Sequence, residues 1–132
     1  MDKTLLEKAI DAALEVRENS YSPYSGFKVG AALVTKSGKI YRGTNIENSS
    51  FGATVCAERT ALFTAVADGE KEFDFIVVTA TLKGNAVYPC GICRQVLADF
   101  SKNLKVYLLN SDTKKIEVET TLLELIPGVF EF

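Results

Sequence analysis

The stretch FDFIVVTAT, residues 73–81, decides the fold class of this chain. Within it Phe75, Ile76, Val77 and Val78 follow one another without a polar residue between them. A strand with one solvent face alternates polar and apolar side chains, whereas a strand covered on both faces is apolar throughout. We therefore predict that residues 73–81 form the central strand of an α/β sheet.

Further elements on both sides of this strand complete the predicted sheet. A capping box formed by Thr4 and Glu7 begins a helix, and the turn at residues 36–38 joins two strands of a hairpin. Because each helix must bury an apolar stripe on the sheet, the order of helices and strands along the chain predicts an α/β fold. We expect a three-layer α/β/α sandwich with a mixed sheet of about five strands, in which residues 1–132 form a single domain. Besides the central strand, the predicted elements are helices at 4–19, 56–67, 91–100 and 122–126, and strands at 27–35, 39–45, 105–109 and 115–118.

The composition excludes several classes of function. The chain has 132 residues, of which 15 are basic and 17 acidic, and its net charge of −2 comes from charges mixed along the sequence. A surface for long nucleic acids or anionic lipid needs a concentration of basic residues. No apolar run approaches the roughly 20 residues of a membrane span, and the start at Met1 lacks a secretory signal. We expect a cytoplasmic protein that binds neither long nucleic acid nor a membrane.

Three cysteines and the absence of histidine limit the chemistry further. The motif CGIC, residues 90–93, directly follows Pro89 at a predicted helix start, and its spacing lets two sulfurs converge on one ion. A redox dithiol and a pair of buried thiols are the alternatives. Cys56 begins the other internal helix, so three sulfurs can point at one site, and three soft ligands suit zinc. A structural zinc site has four protein ligands, so the fourth position is open to water unless a carboxylate fills it.

Glu58 lies two residues after Cys56, at the start of the same predicted helix. Residues two apart diverge inside a helix, whereas in a first turn both can border the space beyond the helix end. In that position a carboxylate beside a metal-activated water can act as general acid and base. The alternative is an acidic residue that the helix dipole favours in a first turn.

The motifs CAE (residues 56–58) and PCGIC (residues 89–93) together resemble the signature of the zinc-dependent cytidine deaminases, and the resemblance covers nearly the whole chain. The written signature has a histidine at the place of Cys56. A set of three cysteines in so short a chain is similar to the small homotetrameric class, which acts on free nucleosides. The resemblance implies one zinc ion per subunit, held by Cys56, Cys90 and Cys93.

The resemblance also implies the reaction. Zinc activates a water molecule for attack on C4 of cytosine, and Glu58 moves protons from this water to N3 and to the leaving amino group. Cytidine, and 2′-deoxycytidine as well, would become uridine or deoxyuridine with release of ammonia, in pyrimidine salvage. Three thiolates (−3) and Zn²⁺ (+2) leave a charge of −1, which weakens the acidification of bound water. Arg59 could offset this charge by a hydrogen bond to a ligand sulfur, the alternative being a solvated arginine on the helix surface.

Further residues are assigned to the substrate by the resemblance. Asn45 and Glu47 share one face at a predicted strand end, and they match residues that hydrogen-bond the ribose hydroxyls. Phe27 matches the aromatic that packs on the pyrimidine face, and Ala57 would contribute a backbone N–H to the base carbonyl. Without the resemblance, Asn45 would be a turn residue, Glu47 a solvated residue and Phe27 a core residue.

Two aromatic residues match positions that reach a neighbouring subunit in the tetrameric class. They are Phe51 and Phe130, the latter within the segment Pro127-Gly128-Val129-Phe130. Apolar residues near a terminus can equally dock on their own subunit. The resemblance implies a homotetramer with cross-subunit roles for both residues, and docking on their own subunit is the alternative.

Other functions remain as alternatives. A deaminase of a related aminopyrimidine nucleoside, such as blasticidin S, would share the same zinc core. A polynucleotide-editing deaminase would need a basic path for flanking phosphates, and the sequence offers only Lys114-Lys115. For a non-catalytic zinc module or a thiol oxidoreductase, replacement of Glu58 should matter little.

Overall fold

The computed structural model describes residues 2–132, and the elements follow the predicted order. Over this described range, no helix is both long and apolar enough to cross a membrane. A short 3-10 turn, Phe51–Ala53, precedes the second helix. The helices are α1 (Leu5–Arg17), α2 (Ala57–Ala67), α3 (Gly91–Ala98) and α4 (Leu122–Leu125). The strands are β1 (Gly30–Thr35), β2 (Ile40–Thr44), β3 (Phe73–Thr79), β4 (Lys105–Asn110) and β5 (Lys115–Thr121).

The five strands form one mixed sheet in the order β2-β1-β3-β4-β5. Strand β1 pairs antiparallel with β2 and with β3, and β5 pairs antiparallel with β4. Strands β3 and β4 are parallel, which requires a crossover connection, and this connection contains α3. Strand β3 is the third of five, so the prediction of a central strand is confirmed, although the strand ends at Thr79.

Side chains of the inner strands divide between two apolar clusters, one on each face of the sheet. On one face, Ala32 and Val34 of β1 pack in a cluster with Ala13 of α1. On the other face, Leu33 packs in a cluster with Leu62 of α2 and with residues of α3 and α4. Because alternate residues of a strand point to opposite faces, the sheet is covered on both sides. The predicted three-layer α/β/α arrangement is confirmed.

Helix α2 lies against β2 with almost no space between the two backbones at Gly43. A Cβ atom at this position would be 2.3 Å from the carbonyl oxygen of Ala57 and 2.3 Å from the backbone nitrogen of Ala61. Glycine has no Cβ and so permits this close approach. The contact sets the position of the first turn of α2, which carries Glu58.

Strand β1 begins at Gly30, whereas the sequence predicted a strand from residue 27. The side chain of Asn45 explains the difference, because its Nδ2 donates to the carbonyl oxygen of Phe27 (2.7 Å) and its Oδ1 accepts from the Val29 N–H (3.0 Å). These backbone groups bond to a side chain instead of a neighbouring strand. Residues 27–29 are therefore held beside β2 without joining the ladder.

Candidate active site

The three cysteines lie at the starts of two helices. Cys56 is the N-cap of α2 and Cys90 is the N-cap of α3, each with extended backbone angles. Cys93 lies in the first turn of α3, where its side chain is buried and its backbone N–H donates to the Cys90 sulfur at 3.5 Å. The positive ends of two helix dipoles thus face the sulfurs, which favours thiolate over thiol.

The sulfur positions fit a single zinc ion. The Cys56 sulfur is 3.7 Å from that of Cys90, the Cys90 sulfur is 3.4 Å from that of Cys93, and all three lie within 4.8 Å of one another. With Zn–S bonds of about 2.3 Å, tetrahedral sulfur ligands are roughly 3.8 Å apart. Among residues 2–132, no carboxylate oxygen joins this group of ligand atoms. The chain therefore supplies three ligands and lacks the fourth protein ligand of a structural zinc site.

Arg59 contacts the sulfur cluster from one side. Its Nη2 donates to the Cys56 sulfur at 3.5 Å. The pKa of Cys56 is lowered to about 5, chiefly because the Cys93 thiol donates a hydrogen bond to it and further because Arg59 lies beside it. The pKa of the Cys93 thiol is raised by that same hydrogen bond and by burial. Since Arg59 Nε is buried, and has no hydrogen-bond partner within the part of the chain described, this side chain is not a solvated surface group.

Glu58 is a buried carboxyl group, only 3% exposed, in the first turn of α2. The pKa of this carboxyl group is raised to about 7, chiefly by burial and in part by the neighbouring Cys56 thiolate, because like charges repel. An acidic residue that merely complements the helix dipole would be solvated. Glu58 instead faces the same cavity as Cys56 and Cys90.

One cavity joins the sulfurs to most of the predicted substrate residues. Its volume is about 280 Å³. A larger and shallower depression of about 530 Å³ lies beside it along α2 and contains none of the cysteines. Glu58 and two of the three cysteines belong to the smaller cavity, which is lined by Phe27, Val29, Asn45, Glu47, Thr54, Val55, Cys56, Glu58, Val78, Val87, Tyr88 and Cys90.

Asn45 holds the segment before β1 against the end of β2. Besides its bonds to the backbone of Phe27 and Val29, its Oδ1 accepts from the Ser20 hydroxyl at 2.6 Å. The side chain is 8% exposed and retains one amide hydrogen that these contacts do not use. Asn45 is therefore a structural residue of the cavity wall as well as a predicted sugar ligand.

Glu47 likewise holds a loop by hydrogen bonds and is also a predicted sugar ligand. Its carboxylate accepts hydrogen bonds from the backbone N–H groups of Tyr24 (2.9 Å) and Ser25 (3.1 Å), and from the Ser25 hydroxyl. The Ser25 hydroxyl is the main reason that the pKa of Glu47 is lowered. The carboxylate is consequently held charged at the rim of the cavity. The sequence did not predict this anchoring of the loop.

The remaining predicted residues, Ala57, Phe51 and Phe130, differ in how far they are exposed. Ala57 is buried as the first residue of α2, where backbone N–H groups have no partner within the helix. Phe51 is 74% exposed and packs edge-to-face on Tyr24, with 5.7 Å between the ring centroids. Phe130 is 66% exposed, and its carbonyl oxygen accepts from Gln95 Nε2 at 3.1 Å. Neither Phe51 nor Phe130 lines the cavity of its own chain.

Sequence reasoning did not identify six residues of the cavity wall: Val29, Thr54, Val55, Val78, Val87 and Tyr88. All but the two strand-region residues Val29 and Val78 immediately precede one of the two cysteine motifs, and this proximity along the chain was the only signal. Apolar and hydroxyl side chains carry no chemical signature, so their role depends on the path of the backbone.

Comparisons with known proteins support the interpretation of the three cysteines as a zinc site. A family model described as "Cytidine and deoxycytidylate deaminase zinc-binding region" matches residues 3–109. A cytidine deaminase of Sporosarcina psychrophila is 49% identical over 126 residues, which cover 95% of this chain and 90% of that protein. A crystal structure of cytidine deaminase from Burkholderia pseudomallei superposes with a TM-score of 0.88 at 44% identity, covering 94% of this chain and 98% of that one.

A blasticidin-S deaminase from Bacillus cereus is also similar, at 39% identity over 106 residues, but it covers only 75% of this chain and 74% of that protein. The predicted resemblance and the predicted zinc cofactor are confirmed. From its motifs, its fold and its similarity to these proteins, the chain belongs to the cytidine and deoxycytidylate deaminase family.

Proposed function

We propose that this chain converts cytidine and 2′-deoxycytidine, with water, to uridine or deoxyuridine and ammonia. One observation carries the proposal: three cysteine sulfurs converge at two helix N-termini beside the buried carboxyl group of Glu58. Cys56, Cys90 and Cys93 would hold one zinc ion per chain. When bound there, zinc supplies the Lewis-acid activation of water that hydrolytic deamination requires.

Glu58 would carry the protons of the reaction. With a pKa of about 7, its carboxyl group is present in both protonation states near neutral pH, so it can accept a proton and return it. It would take the two protons of the attacking water in turn and deliver one to N3 and the other to the departing amino group. The bond from C4 to the amino nitrogen breaks, and the water oxygen becomes the 4-oxo group of the product.

The other residues would orient the nucleoside and adjust the charge. Arg59, which donates to the Cys56 sulfur, would withdraw charge from that ligand. Phe27 would pack on the pyrimidine face, and the Ala57 N–H would donate to the base carbonyl. The ribose hydroxyls would contact the unused amide hydrogen of Asn45 and the carboxylate of Glu47 at the rim.

The setting of the enzyme is proposed from the same resemblance. Residues 1–132 would act as a single domain, and four such chains would form a homotetramer in the cytoplasm, serving pyrimidine salvage. Phe51 and Phe130 support this assembly, because both rings are exposed in the chain by itself and would be covered by a neighbouring subunit.

Deamination of blasticidin S is the second candidate function, since the blasticidin-S deaminase of Bacillus cereus is 39% identical to this chain over 106 residues. Asn45 and Glu47 favour the ordinary nucleoside, because both line the cavity and can form hydrogen bonds with ribose hydroxyls. A direct comparison of the two substrates with the same protein separates these candidates.

The experiment that tests the proposal follows the conversion of cytidine to uridine by absorbance, using zinc-replete protein. The Glu58→Gln protein is measured alongside, because glutamine keeps the shape of the side chain and cannot move protons. We expect turnover by the parent chain and background rates for Glu58→Gln, with equal zinc content in both proteins. Absence of cytidine turnover in the zinc-loaded parent chain would refute the proposed substrate, and activity on blasticidin S alone would establish the second candidate.

A further inference from the structure

The loop that connects β3 to α3 forms a wall of the cavity. It contains a compact turn in which Leu82 and Asn85 exchange two backbone hydrogen bonds, and Lys83 and Gly84 both have positive φ angles, 53° and 82°. The loop then leads to Val87 and Tyr88, which line the cavity, and on to the α3 cysteine motif. Its conformation therefore determines where this part of the cavity wall lies.

Asn110, the last residue of β4, is the first anchor of this loop. Its side chain is 2% exposed, and its Nδ2 donates to the Gly84 carbonyl oxygen at 3.0 Å. Its Oδ1 accepts from the Thr81 hydroxyl at 3.0 Å and from two backbone N–H groups that follow β4. A buried amide with these contacts fixes the turn relative to the sheet.

Glu117, on the edge strand β5, is the second anchor. One carboxylate oxygen accepts from the Ala86 N–H at 2.6 Å, and the other accepts from Asn110 Nδ2 at 2.9 Å. Ala86 directly precedes the wall residues Val87 and Tyr88. The two anchors thus form one network that runs from the far edge of the sheet to the cavity.

We propose that Asn110 and Glu117 are positioning residues for nucleoside binding, which act by holding the β3–α3 loop so that Val87 and Tyr88 form the cavity wall. This inference rests on the proposed function. Neither residue lines the cavity, so the effect is transmitted through the loop. Release of the loop would loosen the contact surface for substrate without removing a sulfur ligand or Glu58.

The exposed position of Glu117 separates this role from general stability. The pairing of β4 with β5 depends on backbone bonds over the whole length of both strands, and Glu117 is a solvent-exposed side chain on the outer strand. Removal of its carboxylate takes nothing from either apolar cluster. Removal of the carboxylate should therefore alter the conformation of the loop before it alters the stability of the fold.

The test compares Glu117→Ala with Glu119→Ala, which removes the same charge from the same strand. Within residues 2–132 the Glu119 side chain makes no hydrogen bond to the loop. We expect KM for cytidine to rise about fivefold in Glu117→Ala, the size expected when the hydrogen bond that holds the Ala86 N–H beside the cavity wall is lost, with kcat and zinc content close to those of the parent. Glu117→Gln keeps an oxygen that can accept from Ala86, so it should recover part of the change.

A second readout does not depend on activity. Trypsin cleavage after Lys83, followed by mass spectrometry, should be faster in Glu117→Ala than in Glu119→Ala, because the turn that contains Lys83 is released. Equal KM values and equal cleavage rates in the two variants would overturn the inference, even when the parent chain deaminates cytidine. A parent chain without cytidine turnover would instead count against the proposed function, and the cleavage rates would still decide whether Glu117 holds the loop.

Discussion

The two ends of the cavity are built in different ways. The thiol end consists of Cys56, Glu58 and Cys90, with the buried Cys93 next to them, and every one of these residues is an N-cap or lies in a first helical turn. The loop end consists of Phe27, Asn45, Glu47 and Tyr88. Its geometry depends on side chains that bond to backbone 15 to 31 residues away along the chain. Each reactive group is thus oriented by the start of its own helix, whereas the loop end of the wall is held by long-range side-chain contacts.

This difference predicts two kinds of variant. Changes at the thiol end should abolish zinc binding or turnover while leaving the cavity wall in place. Changes at the loop end should weaken substrate binding while zinc stays bound.

The largest effect is expected for Cys90→Ala. Two sulfurs hold zinc far less firmly than three, so bound zinc should fall from one per chain to a trace and uridine formation should fall to background. Because the Cys90 side chain is exposed, the melting curve of the metal-free protein should change little. Elemental analysis and the absorbance assay measure the two losses. A variant that keeps both zinc and turnover would show that the three sulfurs are not the metal site.

Arg59→Ala should have the next largest effect. Loss of the hydrogen bond to the Cys56 sulfur should lower kcat by about 10- to 100-fold, as is typical for residues that support metal ligands, while zinc remains bound. Arg42→Ala is a matched control, since Arg42 is an exposed arginine on the neighbouring strand β2. Unchanged turnover of Arg59→Ala across the pH range would contradict the role proposed for this arginine.

Glu47→Gln, a change at the loop end, should affect mainly the KM for cytidine. Glutamine keeps one acceptor oxygen but loses the charge that we propose contacts the ribose, so KM for cytidine should rise by about three- to tenfold, with little change in kcat. Steady-state kinetics with equal zinc content in both proteins measure this. If kcat fell instead and KM stayed constant, the division between the two ends would be wrong.

The smallest predicted effect concerns stability and pH. The pKa of Glu47 in the folded chain is lowered from 4.5, chiefly by the Ser25 hydroxyl, so its contribution to folding is complete above 4.5 and is lost as the pH falls through the lower folded value. The difference in melting temperature between the parent and Glu47→Gln should therefore be constant from pH 7 to pH 5 and should shrink in more acidic solution. A difference that persists unchanged at pH 3 would show that the carboxylate does not act through its charge.

The same division explains what the sequence could predict. The central strand, the layers of the fold and the sulfur ligands follow from periodicity, caps and two short motifs, all of which are local features of the sequence. The start of β1 was misplaced because Asn45 takes the backbone bonds of Phe27 and Val29, and this contact joins residues 16 and 18 apart. The Glu117 anchor was missed for the same reason, since no local pattern relates it to Ala86.

The missing side chain at Gly43 has a consequence for the redesign of this enzyme. Phe27 and Tyr88 of the loop end can be exchanged to admit other nucleosides, because their side chains line the cavity while Asn45 and Glu47 keep the wall in place. Position 43 offers no such freedom, since even a methyl group there would meet the backbone of α2 at 2.3 Å. A library that diversifies the cavity should therefore leave this glycine untouched, because the helix that carries Glu58 would otherwise be displaced in every member.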